Sequence, residues 1–323
     1  MTCEEGIAAL QEAKNIFCST GSKGIILAKI KIKLKVLVCC DEEDGGGTTT
    51  TTTSTTTTTT TTEEVTTSTT TVDESPGLRM VFGSLGGGMP SNLSDWNTFF
   101  DLPTNGTPFT SMWVSGNQVT LVGGGSMTIR ATLFFTNTNI LQIFDDTNIV
   151  DLIEHTAFNS ATSLTDANFD AATTIGTDGW GGAFHSATSL VNVSLANAET
   201  FLSDSNGTFE GCSSIVNLSL PSALLLPGAF IKNATSLETF SAPLATDLGS
   251  NGMENCTSIT TIDLTSCVNL GSSPSDASVF AGITGQVITL TIAAVNETNN
   301  SLAPHASIAA LLAANPGSII NYI

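Results

Sequence analysis

The chain has 323 residues, 41% of them hydrophobic, and sets 29 Asp and Glu against nine Lys and Arg for a formal net charge of −20. That length allows two or more domains and a long core. Six of the nine cations precede residue 36 and only Arg79, Arg130 and Lys232 follow, which argues against nucleic acid as a partner because phosphate contacts need Lys and Arg.

Residues 1–40 read as an N-terminal anchor or oligomerisation segment. Met1-Thr-Cys-Glu4-Glu5 is acidic where a secretion signal needs positive charge, and no uninterrupted apolar run follows, so no export signal is expected. Glu4 to Cys18 has helical periodicity, with Ile7, Leu10, Lys14 and Phe17 on one stripe and two acids in the first turn. Ala28 to Val38 alternates Lys29, Lys31, Lys33 and Lys35 with Ile30, Ile32, Leu34 and Val36. A period of two predicts a strand with one basic face, two helices being the alternative. The same Lys exclude a membrane span across Gly24 to Cys40. So small a segment lacks a core of its own, and its apolar face is expected to meet copies of itself or another protein. The Lys row either protects a solvated edge or docks on an acidic partner, such as a capsid, collar or other surface protein. Seven Cys at irregular spacing do not form a disulfide framework. Cys3, Cys18, Cys39 and Cys40 match no recognised metal spacing, and no metal or cofactor is expected.

Residues 41–76 form a linker or stalk. After Asp41-Glu-Glu-Asp44 and three Gly, Thr48 to Thr62 is pure Thr except for Ser54. Thr is stiff at χ1 and favours extended backbone; the 24 residues Thr48 to Thr71 would span roughly 80 Å. A lone tract of this kind is disordered. Packing with neighbouring chains would order it, and a homo-oligomer, specifically a trimer, is expected; O-glycosylation is a third reading.

Residues 77–134 are expected to cap a longer core. Arg79 to Phe82 has strand character, and Asn92 to Phe100 is helical with Ser91 or Asn92 as its cap. Phe109–Trp113 and Val119–Val122 predict a hairpin turning at Ser115-Gly-Asn117.

Residues 135–295 repeat one motif. Phe158-Asn-Ser-Ala-Thr-Ser-Leu164 recurs as Phe184-His-Ser-Ala-Thr-Ser-Leu190, Phe209-Glu-Gly-Cys-Ser-Ser-Ile215 and Met253-Glu-Asn-Cys-Thr-Ser-Ile259. Ala234 to Leu237 supplies another copy, with Phe230 one residue out of register; Phe280 to Val287 is looser, and Phe135 to Leu141 is a degenerate first rung. The closing residues Leu164, Leu190, Ile215, Leu237 and Ile259 lie 26, 25, 22 and 22 apart, the period of a solenoid whose units bury their apolar sides against one another. Each motif runs into Leu-x-x-φ-x-φ (φ apolar), as in Leu190-Val-Asn-Val193-Ser-Leu195 and Ile215-Val-Asn-Leu218-Ser-Leu220, which predicts one short strand per turn with φ inward. The Phe half is the return leg, Phe serving as core plug. Cys212 and Cys256 share a small-residue slot with Ala161, Ala187 and Ala234 and are read as core.

Together, Phe-x-x-Cys/Ala-Thr/Ser-Ser-Leu and the strand that follows resemble the BspA-type leucine-rich repeat over roughly half the chain. The resemblance implies a β-rich, curved parallel-sheet solenoid on a surface protein that binds other macromolecules. The family's Ala-Phe pair stands at Ala157, Ala183 and Ala229 and is replaced at Thr208 and Gly252. Residues 296–323 are expected to close the far end with a helix over Pro304 to Ala314, stopped by Asn315-Pro-Gly317, and a final strand.

No catalytic constellation is read. His155, His185 and His305 lie in unrelated contexts, and Asp178-Gly-Trp180 is an inter-repeat turn or an exposed contact. The best site candidates are the outward strand residues. Asp166, Asn192, Asn217, Thr239 and Thr261 are expected to form one file, and Asn168, Ser194, Ser219, Ser241 and Asp263 another. They either bond to one another along the ladder and keep the sheet soluble, or present a flat polar face to a surface glycan or protein. Without aromatic or Arg anchors, such a face would rely on avidity. The order of anchor, stalk, cap, solenoid and cap, with no export signal, predicts a non-enzymatic phage fibre or decoration protein at the virion surface. A cellular adhesin, at the cell surface or extracellular, is the alternative.

Overall fold

The computed structural model describes residues 76–323 except 86–88, 103, 178, 180, 203–206, 295 and 297–303. The anchor with Lys29, Lys31, Lys33 and Lys35, the Thr stalk, the trimer assigned to them, and Asp178 and Trp180 therefore lie outside the described residues.

The alternating pattern after each motif becomes a three- or four-residue strand. β7 (Asp166–Asn168), β9 (Asn192–Ser194), β11 (Asn217–Ser219), β13 (Thr239–Ser241), β15 (Thr261–Leu264) and β17 (Thr289–Ile292) lie on one side of the molecule, here called the front. The chain then turns and makes a second, shorter strand: β8 (Thr174–Ile175), β10 (Thr200–Phe201), β12 (Leu225–Leu226), β14 (Asp247–Leu248) and β16 (Asn269–Leu270). With β4 (Met127–Ile129) and β6 (Val150–Ile153) these build a seven-stranded parallel back sheet. The motif turn closes each coil as a third side. From β4 onward the described residues thus form a β-solenoid of about seven turns, the architecture the period predicts, and coil stacks on coil by parallel backbone hydrogen bonds.

The third side fixes the register. The plug's N–H donates to the carbonyl of the residue just before the next plug: Phe134 to Ala157 (2.9 Å), Phe158 to Ala183 (2.8 Å), Phe184 to Thr208 (3.0 Å), Phe209 to Phe230 (2.9 Å), Ile231 to Gly252 (2.9 Å) and Met253 to Val279 (2.9 Å). The plugs are therefore Phe134, Phe158, Phe184, Phe209, Ile231, Met253 and Phe280, all at most 3% exposed. This corrects two sequence assignments. The first rung starts at Phe134, with Phe135 turned out and 45% exposed. In the fifth coil Ile231 is the plug, so Phe230 rather than Ala229 fills the preceding slot and meets Phe201 and Phe209 edge-on at 5.2 and 5.6 Å. The first four plugs stack nearly flat, at 5.1, 5.1 and 5.4 Å with interplanar angles of 9° or less.

Two residues past every plug the backbone is left-handed, at Thr136, Ser160, Ser186, Gly211, Asn233, Asn255 and Gly282, with φ between 51° and 77°. Gly meets this demand freely, and Asn meets it better than Ser or Thr. Gly207 answers a different need: a Cβ there would lie 1.7 Å from the Ala229 carbonyl oxygen of the next coil. Cys212 and Cys256 are core residues, fully buried, donating to the Phe184 and Ile231 carbonyls at 3.1 and 3.3 Å. Burial pushes both thiols up to about 12.

The ends are closed by different means. β1 (Leu78–Phe82), β2 (Phe109–Ser115) and β3 (Gln118–Gly123) form an antiparallel unit, and α1 (Leu93–Phe99), capped by Asn92, carries Trp96 beneath it. Phe99 and Phe100 cover the first plug, Phe134, at 5.7 and 6.4 Å. At the far end α2 (Ala306–Ala314) buries Ile308 and Leu311, and β18 (Ile319–Tyr322) extends the front sheet beside β17.

Because Phe184 is a plug and Phe135 is not, Phe184→Ala should cost about 3–5 kcal/mol by chemical denaturation. Phe135→Ala should stay within about 0.5 kcal/mol. Equal losses would mean the register is wrong.

Candidate functional site

The front sheet brings the outward residues together as two files. Asp166 pairs with Asn192, and Asn168 with Ser194. Farther on, Asn217, Thr239, Thr261 and Thr289 form one row, and Ser219, Ser241, Asp263 and Thr291 the other. Many of these residues bond to their neighbours. The Asn192 amide donates to Asp166 Oδ1 at 2.7 Å, and Gln142 and Thr165 donate to its Oδ2 at 2.8 and 2.6 Å. Thr239 donates to Asn217 Oδ1 at 2.5 Å, and Ser241 to Asp263 at 3.3 Å. Burial alone would raise the Asp166 pKa, but the bonds from Thr165, Asn192 and Gln142 outweigh it and hold the carboxyl below its ordinary value.

Four residues of this face were missed in the sequence. β5 (Ile140–Asp145) pairs with β7 on one side and antiparallel with β1 on the other, so the cap and the first coils share one sheet in the order β2-β3-β1-β5-β7-β9. Directly paired residues share a face. The Asn168 file therefore continues through Phe144, Arg79 and Thr120 to Trp113. The Arg79 guanidinium lies 4.2 Å from the centre of the Phe144 ring and bonds Asp146 at 3.0 Å, while Trp113 is 46% exposed. The face thus has the aromatic and guanidinium groups that its parallel half lacks. Arg79 and Phe144 are 65 positions apart in sequence, and no local pattern joins them.

The front ladder is interrupted once within the coils. Val191 and Asn192 donate to the Thr165 carbonyl at 2.9 and 3.1 Å, and Glu238 and Thr239 donate to that of Val216 at 2.8 and 3.2 Å. The equivalent bonds from Val216 and Asn217 to Val191 are not made, and β9 and β11 belong to different sheets. The back sheet and the plug ladder run on through the same coils. The interruption coincides with the drop in coil length from 25 to 22 residues, counted from Asn192 to Asn217 and from Asn217 to Thr239, and with Phe230 in the slot before the plug. A groove of about 290 Å³ opens there, between polar walls from Asp166, Asn168, Asn192 and Asn217 and apolar surface from Phe144 and Val191.

Elsewhere the third side carries a polar ladder. His185, Glu210, Lys232 and Glu254 follow successive plugs, with Lys232 bonded to Glu254 at 2.7 Å. His155 bonds Thr177, and His305 caps α2. Among the described residues no group of His, Cys, Asp and Glu could hold a metal ion, and no helix is long and apolar enough to cross a membrane. No protein-family model, curated protein or solved structure matches the chain.

Asp166 is held ionised by groups that only the folded chain supplies. Its stabilisation is therefore complete above the unfolded value of about 3.9 and is lost as pH falls through the depressed folded value. Asp166→Asn should lower the melting temperature at pH 7 by a few degrees, for a loss of about 1 kcal/mol at this half-exposed site. The gap to wild type should narrow as melts are taken to lower pH, and a gap independent of pH would contradict this role.

Proposed function

We propose that the chain is a non-enzymatic adhesion module, a virion-associated fibre or decoration protein of a phage, which presents the front face to a surface glycan or protein. The observation that carries the reading is the outward file from Trp113 through Arg79 and Phe144 to Asn168 and Ser194. It sets the exposed Trp113 ring and the half-buried Arg79 and Phe144 beside a polar groove, the residue types in which binding energy concentrates. The BspA-type motif supports a surface role. Residues 1–40 would attach the module to a capsid, collar or other surface protein, and the Thr stalk would hold it clear, as part of a trimer. The second reading is a cellular surface adhesin of the same repeat class, whose front face would act in the same way.

Retention of the full chain on immobilised microbial and mucosal glycans and on surface proteins tests the adhesive role. Trp113→Ala should weaken retention at least about tenfold, a loss near 1.4 kcal/mol, while Leu225→Ala on the exposed back sheet should not. Equal effects would contradict a front-face site. Proteomic analysis of purified virions should find the chain in the particle fraction, and its absence there would favour the cellular adhesin.

A further inference from the structure

The interrupted ladder and the cap aromatics restrict what the front face can hold. We propose that its ligand is a neutral saccharide chain lying across the strands, from the Trp113 ring to the groove between β9 and β11. This rests on the adhesive reading above.

Charge is the first argument. The described residues carry three Lys and Arg, each already paired with a carboxylate: Arg79 with Asp146, Arg130 with Asp101 and Lys232 with Glu254. Lys232 also stands on the third side, away from the face. In the groove the nearest full charge is the Asp166 carboxylate, which would repel an anionic ligand. Nor is Asp166 open to a cation as a bare carboxylate, since its two oxygens already accept from Asn192, Gln142 and Thr165.

Hydrogen-bonding capacity is the second argument. Asn192 and Asn217 are exposed at the groove. Asn217 Oδ1 accepts from the Thr239 hydroxyl, and its amide N–H groups can serve a further acceptor. At the interruption the N–H groups of Val216 and Asn217 lack the carbonyl that their counterparts in other coils use. Hydroxyl groups, each both donor and acceptor, suit such a mixed set. The apolar contributions of Phe144 and Val191, the latter 40% exposed, suit the C–H face of a sugar ring, and Trp113 gives a second platform.

Length is the third. Five strand-to-strand steps separate β2 from β9, about 24 Å at the usual spacing of about 4.8 Å. A single sugar cannot reach both ends, so an oligomer should bind more tightly than its monomer.

The test is the full chain on an array of neutral hexose and N-acetylhexosamine oligosaccharides of graded length, beside sialylated and sulfated glycans, basic peptides and surface proteins. Retention is expected on neutral chains, rising with length and nearly unchanged between low and high salt, because no ion pair is formed. Asn192→Ala with Asn217→Ala, and separately Trp113→Ala, should each weaken it about tenfold or more with the melting temperature of Trp113→Ala unchanged. Binding confined to anionic glycans, basic peptides or proteins, or binding that falls steeply with salt, overturns the neutral saccharide and leaves the adhesive role standing. Retention on nothing in the array overturns both.

Discussion

The solenoid depends on one backbone bond repeated from coil to coil, that of each plug to the residue before the next plug. The strands of such a stack fix its register only weakly by themselves, since strands of two to four residues carry few bonds. The bond places Phe134, Phe158, Phe184 and Phe209 face to face. That stacking sets the spacing of the other two sides, and the front files are in line because the plugs are. The cost falls on the backbone, which turns left-handed two residues beyond each plug whatever side chain stands there.

The front strands could be read in the sequence because five or six residues of Leu-x-x-φ-x-φ show alternation directly. The back strands could not, since two residues have no period to display. A signal was present nonetheless: Ala172, Ala198, Ala223, Ala245 and Cys267, each three residues before a buried Ile, Phe or Leu, are spaced by the same 26, 25, 22 and 22 as the motif ends. The plug register failed at Phe134-Phe135 and Phe230-Ile231 for one reason. Each pair offers two large apolar residues, and only the inter-coil bond decides which points inward.

The candidate site divides along the same line. Its parallel half, Asp166 to Asp263, is repetitive and therefore legible. Its aromatic half is not, because the cap joins the sheet through antiparallel pairs between residues far apart in sequence. A face that looked uniformly small and polar is in fact graded, with Trp113, Arg79 and Phe144 at one end, the Asp166 groove next, and Thr and Ser rows beyond. That gradient would give a ligand a place and a direction, which a uniform ladder would not.

The most direct measurement is residue-resolved amide hydrogen exchange on the full chain. Amides of the six plugs from Phe134 to Met253 and those of Glu238 and Thr239 should exchange slowly, and those of Val216 and Asn217 should exchange orders of magnitude faster, although all lie in the same stack. That outcome would establish both the in-register coils and their single interruption on the front. Uniform protection across β9 and β11 would close the groove on which the site depends, and fast exchange at the plugs would contradict the stacking itself.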